Sequence, residues 1–582
     1  MALLLVGVLV SAWAAGALDW GHLERPISHV RGSDWDYQLT LLEACGRLWS
    51  AGQLPAWNPW TAAGVPLLAN PEAPVFHPMA FAAMIAHPAS VARVVLIVHM
   101  GIQAAGTAAL ARWLGASRWT LPLVAVGLMS TDVLVWRMSH GHLMMAQAAW
   151  IPVAMVMAVA VRSSLWAGAL SGVAVAIAAH GGGHYPAWIA LASTGLLLAV
   201  LTTTRGLRPA AALQRVGALA VTAGLLIAPR WIPTAMGLAE SSRLRGGQAP
   251  RAMSDFSLVD AVVSVFAAGE WTALPRLDGL HEALPSWSTP LFGLLALLGI
   301  FLAQRTVAPR RVAAIALLAV LAAWASIGHN APVNLFGLLH ALEPLDRFRN
   351  PERWAMTWVP MLVALSAVGV SGLLRATPRP SLRVLAIAGT AVLMIGHLKL
   401  AWPQVVHSTH IDQITADSYQ RVPTQGPPTA GGQTEHWVSN FESAGRHITC
   451  LPCSDALLHE APPGITDGAY VLSEPAELLS WTPTEVSFEL PLDPQANPRI
   501  PQGRVVVLPQ AHHPGWEAVD STGLSLEVKA HEAGTAVTVP IPGRTVRLSF
   551  VPPGWPLGRS LGLLGIVLVA GLGLSRRRDS ST

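Results

Sequence analysis

The sequence has few charged residues, few lysines and few cysteines. Asp, Glu, Lys and Arg make up 12% of its 582 residues, roughly half the fraction usual in soluble domains. This shortage excludes a disordered chain, a nucleic-acid-binding arm and an ordinary cytosolic enzyme. Lysine occurs only at positions 399 and 529, so the glycines at 181–183 lack the lysine of a phosphate-binding loop. The cysteines, at positions 45, 450 and 453, are too few for a disulfide scaffold or a four-cysteine zinc site.

Hydrophobic residues are abundant and fall in runs long enough to cross a bilayer. They make up 52% of the chain, and the mean hydropathy is +0.46. We predict an α-helical polytopic membrane protein with about twelve transmembrane helices. The predicted spans are Ala2–Leu18, Val91–Leu114, Leu121–Val135, Leu143–Val161, Trp166–Ala179, Pro186–Leu201, Val216–Ile227, Leu291–Leu302, Val312–Trp324, Trp354–Leu374, Val384–Leu400 and Leu561–Leu574.

The first run, Ala2–Leu18, allows two interpretations. Ala12-Trp13-Ala14 resembles a signal-peptidase site, but no basic residues precede the run. The sequence therefore favours a retained helix over a cleaved signal peptide.

Arginines predict the topology of the membrane domain. With both termini in the cytoplasm, every inner loop carries arginine, as the positive-inside rule requires. The predicted location is the bacterial inner (cytoplasmic) membrane. The inner arginines are Arg112, Arg118, Arg162, Arg205, Arg208, Arg215, Arg305, Arg310, Arg311, Arg375, Arg379, Arg383, Arg576, Arg577 and Arg578.

Most acids and histidines then lie on the outer face, where we expect the chemistry. We predict a membrane domain over 1–400 with a large first outer loop at 19–90. An outer-face (periplasmic) β-rich domain follows at 401–556, with a closing helix and basic tail at 557–582. Alternating β-branched runs predict a β-sandwich in the β-rich domain, with strands at Arg504–Leu508, Leu524–Lys529, Thr535–Val539 and Thr545–Phe550.

Cys450-Leu-Pro-Cys453 lies within the β-rich domain. A redox motif is one interpretation, but no thioredoxin-like βαβ pattern surrounds it. A structural disulfide or an incidental pair is favoured.

The first outer loop is dense in Trp, Pro, Gly and Asn, which predicts an irregular backbone. Its aromatic residues suit either a membrane-interface belt or stacking on sugar rings. Asp34 and Asp36 suit either a general base or metal ligand, or a helix cap or ion-pair partner.

Outer-face arginines break the positive-inside trend and suit binding of a lipid phosphate. Pairing with nearby acids (Asp346, Glu352 and Glu240) is an equal alternative. The arginines form two groups: Arg347, Arg349 and Arg353, and Arg230, Arg243 and Arg245.

Four histidines cluster at two short outer loops: His140, His142, His180 and His184. Their spacing matches no compact metal motif, so hydrogen-bonded loop histidines are favoured over metal ligands.

An ordered set of motifs runs through nearly the whole chain: Asp34…Gln38, Pro55-x-Trp57-Asn58-Pro59, Gly64-x-Pro66, Asn70-Pro71, Phe76-His77-Pro78, Ser139-His140-Gly141-His142, Trp150-Ile-Pro152, Pro233-Thr234, Phe348-Arg349-Asn-Pro351-Glu-Arg353 and Pro514-Gly515-Trp516. This set resembles the YfhO-type bacterial membrane proteins of the GT-C glycosyltransferase superfamily. The chain departs from the family at His512 and His513, at Asp520-Ser-Thr-Gly523 and at Glu72, where relatives often have Gln.

The resemblance implies a polyprenyl-phosphate sugar donor and a catalytic carboxylate in the first outer loop. That carboxylate is Asp34 by motif position, with Asp36 as substitute, and Asp34 could hold a divalent cation such as Mg or Mn. The implied substrate-binding residues are Trp57, Asn58, Glu72, His77, Arg347, Arg349 and Arg353.

The first hypothesis is thus a membrane glycosyltransferase that modifies an outer-face acceptor, with membrane lipids and envelope-assembly proteins as further partners. The second is a non-catalytic scaffold with the same architecture. The third, a lipid or glycan transporter, is disfavoured because few ionisable residues lie within the predicted spans. Those that stand out are Asp132, His99 and His397.

Overall fold

The computed structural model describes about two thirds of the chain. The predicted helices Ala2–Leu18 and Val384–Leu400 lie outside the described residues. The described residues are 34–61, 64–129, 142–240, 290–303, 309–328, 331–340, 351–376, 429–431, 448–450, 472, 476–491, 504–531, 534–540 and 543–581.

Helices dominate the described part. In chain order they are α1 (Asp34–Ser50), α2 (Pro78–Ala82), α3 (Pro88–Trp113), α4 (Leu121–Met129), α5 (Trp150–Ala160), α6 (Ser164–His180), α7 (His184–Thr203), α8 (Pro209–Glu240), α9 (Pro290–Ala303), α10 (Pro309–Ile327), α11 (Leu335–His340), α12 (Ala355–Ala376) and α13 (Trp555–Ser581). Short 3₁₀ helices cover Arg118–Thr120, Leu143–Ala149 and Pro351–Trp354.

Seven helical stretches among the described residues are long and apolar enough to cross a membrane. They are α3, the stretch Leu143–Ala160, α7, most of α8, α10, α12 and most of α13; α6 and most of α9 are shorter apolar helices. Each overlaps a predicted span, which confirms a polytopic membrane protein. The total of twelve stays a prediction.

The membrane helices cross closely where glycine replaces a side chain. On α9 and α12, Gly299 and Gly369 face each other's helix: an added Cβ would lie 2.3 Å from the Leu365 carbonyl and 2.1 Å from the Leu295 carbonyl, respectively. Small residues at such crossings let backbones approach, which is how helices associate in lipid.

Helix α13 carries a glycine ridge of Gly558, Gly562 and Gly565 at helical spacing. An added Cβ at Gly558 would lie 2.6 Å from the Ala228 carbonyl, and one at Gly562 would lie 2.3 Å from Pro229 Cγ. The ridge therefore fixes the closing helix against α8.

The first outer loop is more ordered than its Pro and Gly content predicts. Residues 37–48 of α1 are nearly all buried. A two-stranded hairpin follows, with β1 (Trp57–Asn58) antiparallel to β2 (Val65–Pro66). The loop has its own apolar cluster, which includes Leu41, Leu48 and Trp60.

Two short parallel strands, β3 (Thr429–Gly431) and β4 (Ile448–Cys450), precede the main β-domain. Cys453 lies outside the described residues, so the pairing of Cys450 stays a prediction. The main strands are β5 (Glu477–Thr482), β6 (Glu485–Glu489), β7 (Arg504–Leu508), β8 (Trp516–Asp520), β9 (Ser525–His531), β10 (Gly534–Val539) and β11 (Thr545–Phe550).

These seven strands form one sheet in the order β5-β6-β11-β8-β9-β10-β7, and every neighbouring pair is antiparallel. Alternate residues of β6, β8 and β11 are buried, the period expected of a half-buried strand. Both halves of the sheet bury residues in one core, with Phe488, Trp516 and Leu548 from one half and Leu508 and Val537 from the other. The four predicted strands are confirmed, whereas β5, β6 and β8 were not predicted.

The turn from β8 to β9 is held by Asp520. Its carboxylate accepts from the backbone N–H of Thr522 at 2.9 Å and of Leu524 at 3.0 Å, and it pairs with Arg544. Hydrogen bonds, chiefly from the Thr522 hydroxyl, hold the pKa of Asp520 well below its usual range. Gly523 adopts φ +85°, which suits glycine. The longer Asp520–Gly523 turn is therefore a self-contained local structure.

Candidate active site

Helix α1 begins at Asp34 and carries the residues that contact the rest of the first outer loop. Gln38 is buried, and its Nε2 donates to Glu72 Oε2 at 2.7 Å. Asp34 lies one helical turn before Gln38 along α1, and Asp36 lies two residues before it. The catalytic roles predicted for Asp34 and Asp36 stay predictions.

The Asn70-Pro71-Glu72 turn orients Glu72. Asn70 Oδ1 accepts from the Glu72 backbone N–H at 2.9 Å, and Asn70 Nδ2 donates to the Tyr37 hydroxyl at 2.7 Å. Tyr37 and Gln38 are neighbours on α1, so the helix holds both ends of this turn.

Asn58 and His77 have local backbone partners. Asn58 Oδ1 accepts from the Trp60 N–H at 3.0 Å, and its Nδ2 donates to Thr61 Oγ1 at 3.1 Å. His77 Nδ1 accepts from the Met79 N–H at 3.3 Å and caps α2. Both side chains are at most 6% exposed. Their predicted binding roles stay predictions, but local structure already explains their identity.

Arg230 of α8 fastens the first outer loop to the membrane helices. Its side chain is fully buried; Nη2 donates to the Asn70 carbonyl at 3.1 Å and Nη1 to the His180 carbonyl at 3.0 Å. Such fixed charge-assisted bonds are stronger than neutral ones. Arg230 thus joins the turn that bears Glu72 to the outer end of α6.

The turn His180-Gly181-Gly182-Gly183-His184 packs directly on Glu72. Gly182 has φ +83°, and an added Cβ would lie 2.2 Å from the Glu72 carbonyl. Cβ atoms at Gly181 and Gly183 would lie within 2.4 Å of the Gln147 side chain. The glycines are therefore required by the close approach of Glu72 and Gln147.

The loop histidines are bonded to backbone carbonyls. His180 Nε2 lies 3.0 Å from the Leu226 carbonyl. His184 Nδ1 contacts the carbonyl of Gly182. Within the described ranges, no group of three or more His, Cys, Asp or Glu side chains could hold a metal ion. His140 lies outside those ranges, and the cation predicted at Asp34 stays a prediction.

Two other candidates for chemistry are buried. His99 of α3 contacts the Val95 carbonyl at 2.8 Å and Gln147 Oε1 at 3.2 Å. The bond to Gln147 joins α3 to the 3₁₀ helix Leu143–Ala149. Burial raises the pKa of the Cys45 thiol to about 12, so it has no thiolate character.

Burial lowers the pKa of His77 to about 3, and the nearby His99, His180 and Arg230 add to the effect. His77 Nδ1 accepts a hydrogen bond, so the neutral ring carries its proton on Nε2. A neutral, capping imidazole at this position cannot act as an acid near neutral pH.

Arg353 lies in the 3₁₀ turn Pro351–Trp354, before α12. Its guanidinium carbon is 3.8 Å from the centre of the Tyr185 ring, a cation–π contact. Tyr185 follows the glycine turn that touches Glu72, so Arg353 belongs to the same end of the bundle. Arg347 and Arg349 lie outside the described residues.

Trp57 faces the β-domain. Its side chain is 1% exposed, and its ring centre lies 4.7 Å from that of Phe550 and 5.1 Å from that of Trp516. In this arrangement Trp57 is a packing residue, and its predicted sugar contact stays a prediction.

No family model matches the sequence, and no curated protein matches it significantly. Several solved structures are similar in shape. The cryo-EM structure of the arabinofuranosyltransferase AftD from Mycobacteria has a TM-score of 0.45 and 14% identity, covering 78% of this chain and 31% of AftD. The oligosaccharyltransferase AglB from Archaeoglobus fulgidus, in complex with an inhibitory peptide and a dolichol-phosphate, has a TM-score of 0.39 and 14% identity, covering 70% of this chain and 55% of AglB. The apo oligosaccharyltransferase of Archaeoglobus fulgidus has a TM-score of 0.40 and 13% identity, covering 77% of this chain and 64% of that protein.

The chain thus spans between 31% and 64% of the length of these structures.

The structure brings together part of the predicted site. Glu72 bonds Gln38 of α1, and His77 lies against His99 of α3. Arg353 contacts Tyr185, three residues after the Gly182 that packs on Glu72. The site also includes Gln38, Tyr37, Gln147 and Tyr185, which the sequence did not indicate as functional. Arg230 was indicated as a phosphate ligand or ion-pair partner, but it donates to two backbone carbonyls.

Proposed function

We propose that this protein is a membrane glycosyltransferase that moves a sugar from a polyprenyl-phosphate carrier to an acceptor on the outer face. The observation that carries the proposal is the fastening of Glu72 to α1. The helix that begins at Asp34 holds the Glu72 turn through Gln38 and Tyr37, and Arg230 locks that turn to α6 and α8. The order of motifs along the chain, which resembles YfhO-type proteins, points the same way.

The chemistry assigns one role to each group. The acceptor hydroxyl attacks the anomeric carbon while the bond from that carbon to the phosphate oxygen breaks. Asp34 takes the hydroxyl proton, and polyprenyl phosphate leaves as an anion.

The leaving phosphate needs cations at the outer interface. Arg353, held flat against Tyr185, would supply one, and Arg347 and Arg349 would supply others. Glu72 would accept hydrogen bonds from sugar hydroxyls. A divalent cation, if one is used, would bind at Asp34.

The test compares envelope glycans and lipids in wild-type cells, a deletion strain, and the deletion strain complemented with Asp34→Asn or Asp36→Asn. Asp36→Asn is the matched control, because the same change is made two residues away in the same helix. We expect one sugar modification to disappear on deletion, to return with Asp36→Asn and to stay absent with Asp34→Asn at equal protein levels. Restoration by Asp34→Asn would overturn the catalytic assignment.

The scaffold hypothesis makes a different prediction. A scaffold leaves every glycan unchanged on deletion and has no saturable affinity for a polyprenyl-phosphate sugar. Titration of the purified protein with such a donor therefore separates the two functions.

A further inference from the structure

Two tryptophans connect the first outer loop to the β-domain and to the start of α13. Trp57 of the loop inserts into the β-domain core between Phe550, Trp516 and His513, whose ring centres lie 4.7, 5.1 and 6.3 Å from its own. In return, Trp555, which begins α13 just after the β-domain, stacks on Phe76 of the loop at 6.0 Å and 15°. These contacts join residues nearly five hundred positions apart in the sequence.

The structure assigns the β-domain a role as a clamp on the first outer loop, with Trp57 as a positioning residue for α1. This inference rests on the proposed function for its catalytic consequence but not for its structural one. The β-domain thereby becomes part of the support of the active site, beyond any role in acceptor recognition.

The hairpin transmits the position of Trp57. β1 pairs with β2 in the register Trp57↔Pro66 and Asn58↔Val65. Gly64 adopts φ +118°, and an added Cβ there would lie 2.5 Å from the Trp57 ring, so the hairpin closes tightly on Trp57. The hairpin and the tryptophan therefore move together.

The turn after Trp57 continues the connection to α1. Asn58 accepts from the Trp60 N–H, which fixes Trp60 two residues beyond β1. Trp60 is fully buried, and the Arg47 guanidinium of α1 lies 5.5 Å from its ring centre. Arg47 in turn bonds Glu43 at 2.6 Å within α1. The contacts thus run from the β-domain core to the helix that begins at Asp34.

The second contact closes the clamp from the other side. Phe76 packs between Trp555 and His180, whose ring lies 5.5 Å away and nearly perpendicular. His180 is the residue whose carbonyl accepts from Arg230. The strand end at Phe550 and the helix start at Trp555 therefore hold the loop at two points, on either side of Glu72.

A clamp predicts an effect at a distance that ordinary domain packing does not. Loss of the Trp57 contact should loosen α1, and it should lower the turnover rate more than the donor affinity, because misplacement of a reacting group by about 1 Å can cost about 100-fold in rate. Loss of a tryptophan elsewhere in the β-domain should loosen the β-domain alone. Trp481 of the edge strand β5, which packs on the same core, is the matched control.

The experiment uses the full chain in lipid nanodiscs and measures hydrogen–deuterium exchange together with transfer from a polyprenyl-phosphate sugar. We expect Trp57→Ala to raise exchange in α1 at least about tenfold and to lower kcat about 10- to 100-fold with KM changed less than about threefold. Trp57→Phe, which keeps an aromatic ring, should stay near wild type. Trp481→Ala should raise exchange only in the β-domain.

Unchanged exchange in α1 of Trp57→Ala would overturn the clamp, whatever the activity. Raised exchange in α1, in a protein whose wild type transfers no sugar, would support the clamp and overturn the proposed function. If Trp57→Ala does not accumulate, Phe550→Leu removes the same ring contact from the β-domain side, and the same exchange results decide.

Discussion

Five short motifs in this chain share one local structure. In each, Asn or His precedes proline, and its side chain accepts a hydrogen bond from the backbone N–H of the residue after the proline. Proline has no N–H, so the next N–H is the first that needs an acceptor at such a turn or helix start. The accepting residues are Asn58, Asn70, His77, His87 and His513. Motifs that suggested substrate contacts thus have a structural explanation.

The replacement His77→Asn tests the buried cap. Asn keeps a capping acceptor but does not titrate. The pKa of His77 is lowered to about 3 from 6.5. Between those values the unfolded chain binds a proton that the folded protein does not, so wild-type stability is complete above pH 6.5 and declines as the pH falls toward 3.

At about 1.4 kcal/mol per pH unit, this group should cost the wild type about 2–3 kcal/mol of unfolding free energy between pH ~7 and pH ~4.5. The variant should lose that much less. Denaturant unfolding of the detergent-purified protein at both pH values measures the difference. An identical pH dependence in the two proteins would show that His77 is not buried neutral.

Residue types were easier to predict than residue partners. Asp34, Glu72 and His77 stood out because acids, histidines and prolines are informative in an apolar chain. The partners of Arg230 did not, since Asn70 and His180 lie 160 and 50 positions from it. No periodicity connects such distant positions, and a guanidinium that donates to carbonyls needs no acidic residue nearby.

At the scale of elements, hydrophobic runs predicted the membrane helices well and α1 not at all. Residues 37–48 of α1 are buried almost all round, so the helix has no polar stripe to give a 3.6-residue period. The Pro and Gly of the following segment also suggested an irregular loop. In the described part of this loop, irregular backbone lies after α1, around the short hairpin and α2.

Helix α8 is longer than predicted, because the prediction ended the helix before two prolines that the helix in fact contains. The prediction ended at Ile227, whereas the helix continues through Pro229 and Pro233 to Glu240. Proline is tolerated in a membrane helix where neighbouring groups and small local adjustments satisfy the freed carbonyls. Here Pro229 also forms the surface on which Gly562 of α13 packs.

The glycine ridge of α13 offers a matched pair of substitutions. Gly562→Ala would place a methyl group 2.3 Å from Pro229 Cγ, whereas nothing lies within 4 Å of an added Cβ at Gly571 in the same helix. We expect Gly562→Ala to destabilise the protein by about 1–3 kcal/mol through overpacking. Gly571→Ala should be neutral or stabilise the helix by up to about 1 kcal/mol.

Thermal unfolding followed by tryptophan fluorescence ranks the two variants. A lower midpoint for Gly562→Ala alone supports the close crossing. Equal midpoints would mean that α13 does not pack on α8 through this ridge.

At the scale of the molecule, the arginine distribution predicts which side of the membrane holds the site. The prediction puts the β-domain and the first outer loop outside and the link between α7 and α8 inside. Single cysteines test it: Ser521→Cys is exposed in the β-domain, and Arg208→Cys is exposed beside α8. The background carries Cys450→Ser and Cys453→Ser, and the buried Cys45 can remain.

A membrane-impermeant maleimide applied to spheroplasts should label Ser521→Cys and should label Arg208→Cys only after permeabilisation. The reverse pattern would place the site in the cytoplasm. It would then exclude an outer-face acceptor.

The docking of the first outer loop in the β-domain could not be predicted, although most strands and helices could. Trp57 looked like an interface or sugar-stacking residue because the segment around it is rich in proline, asparagine and tryptophan. Its burial depends on Trp516 and Phe550, which the chain supplies far downstream.

The burial of Trp57 in the β-domain and the stacking of Trp555 on Phe76 have a consequence for biogenesis. The ribosome makes the loop early, and it makes the strands that cover Trp57 only after most of the membrane helices. Until then the indole of Trp57 is uncovered, and exposed apolar surface of this kind is bound by chaperones and attacked by proteases. A transcript truncated before β11 would therefore yield a protein that lacks β11 and α13 and leaves Trp57 of the first outer loop uncovered, which the cell can recognise and remove.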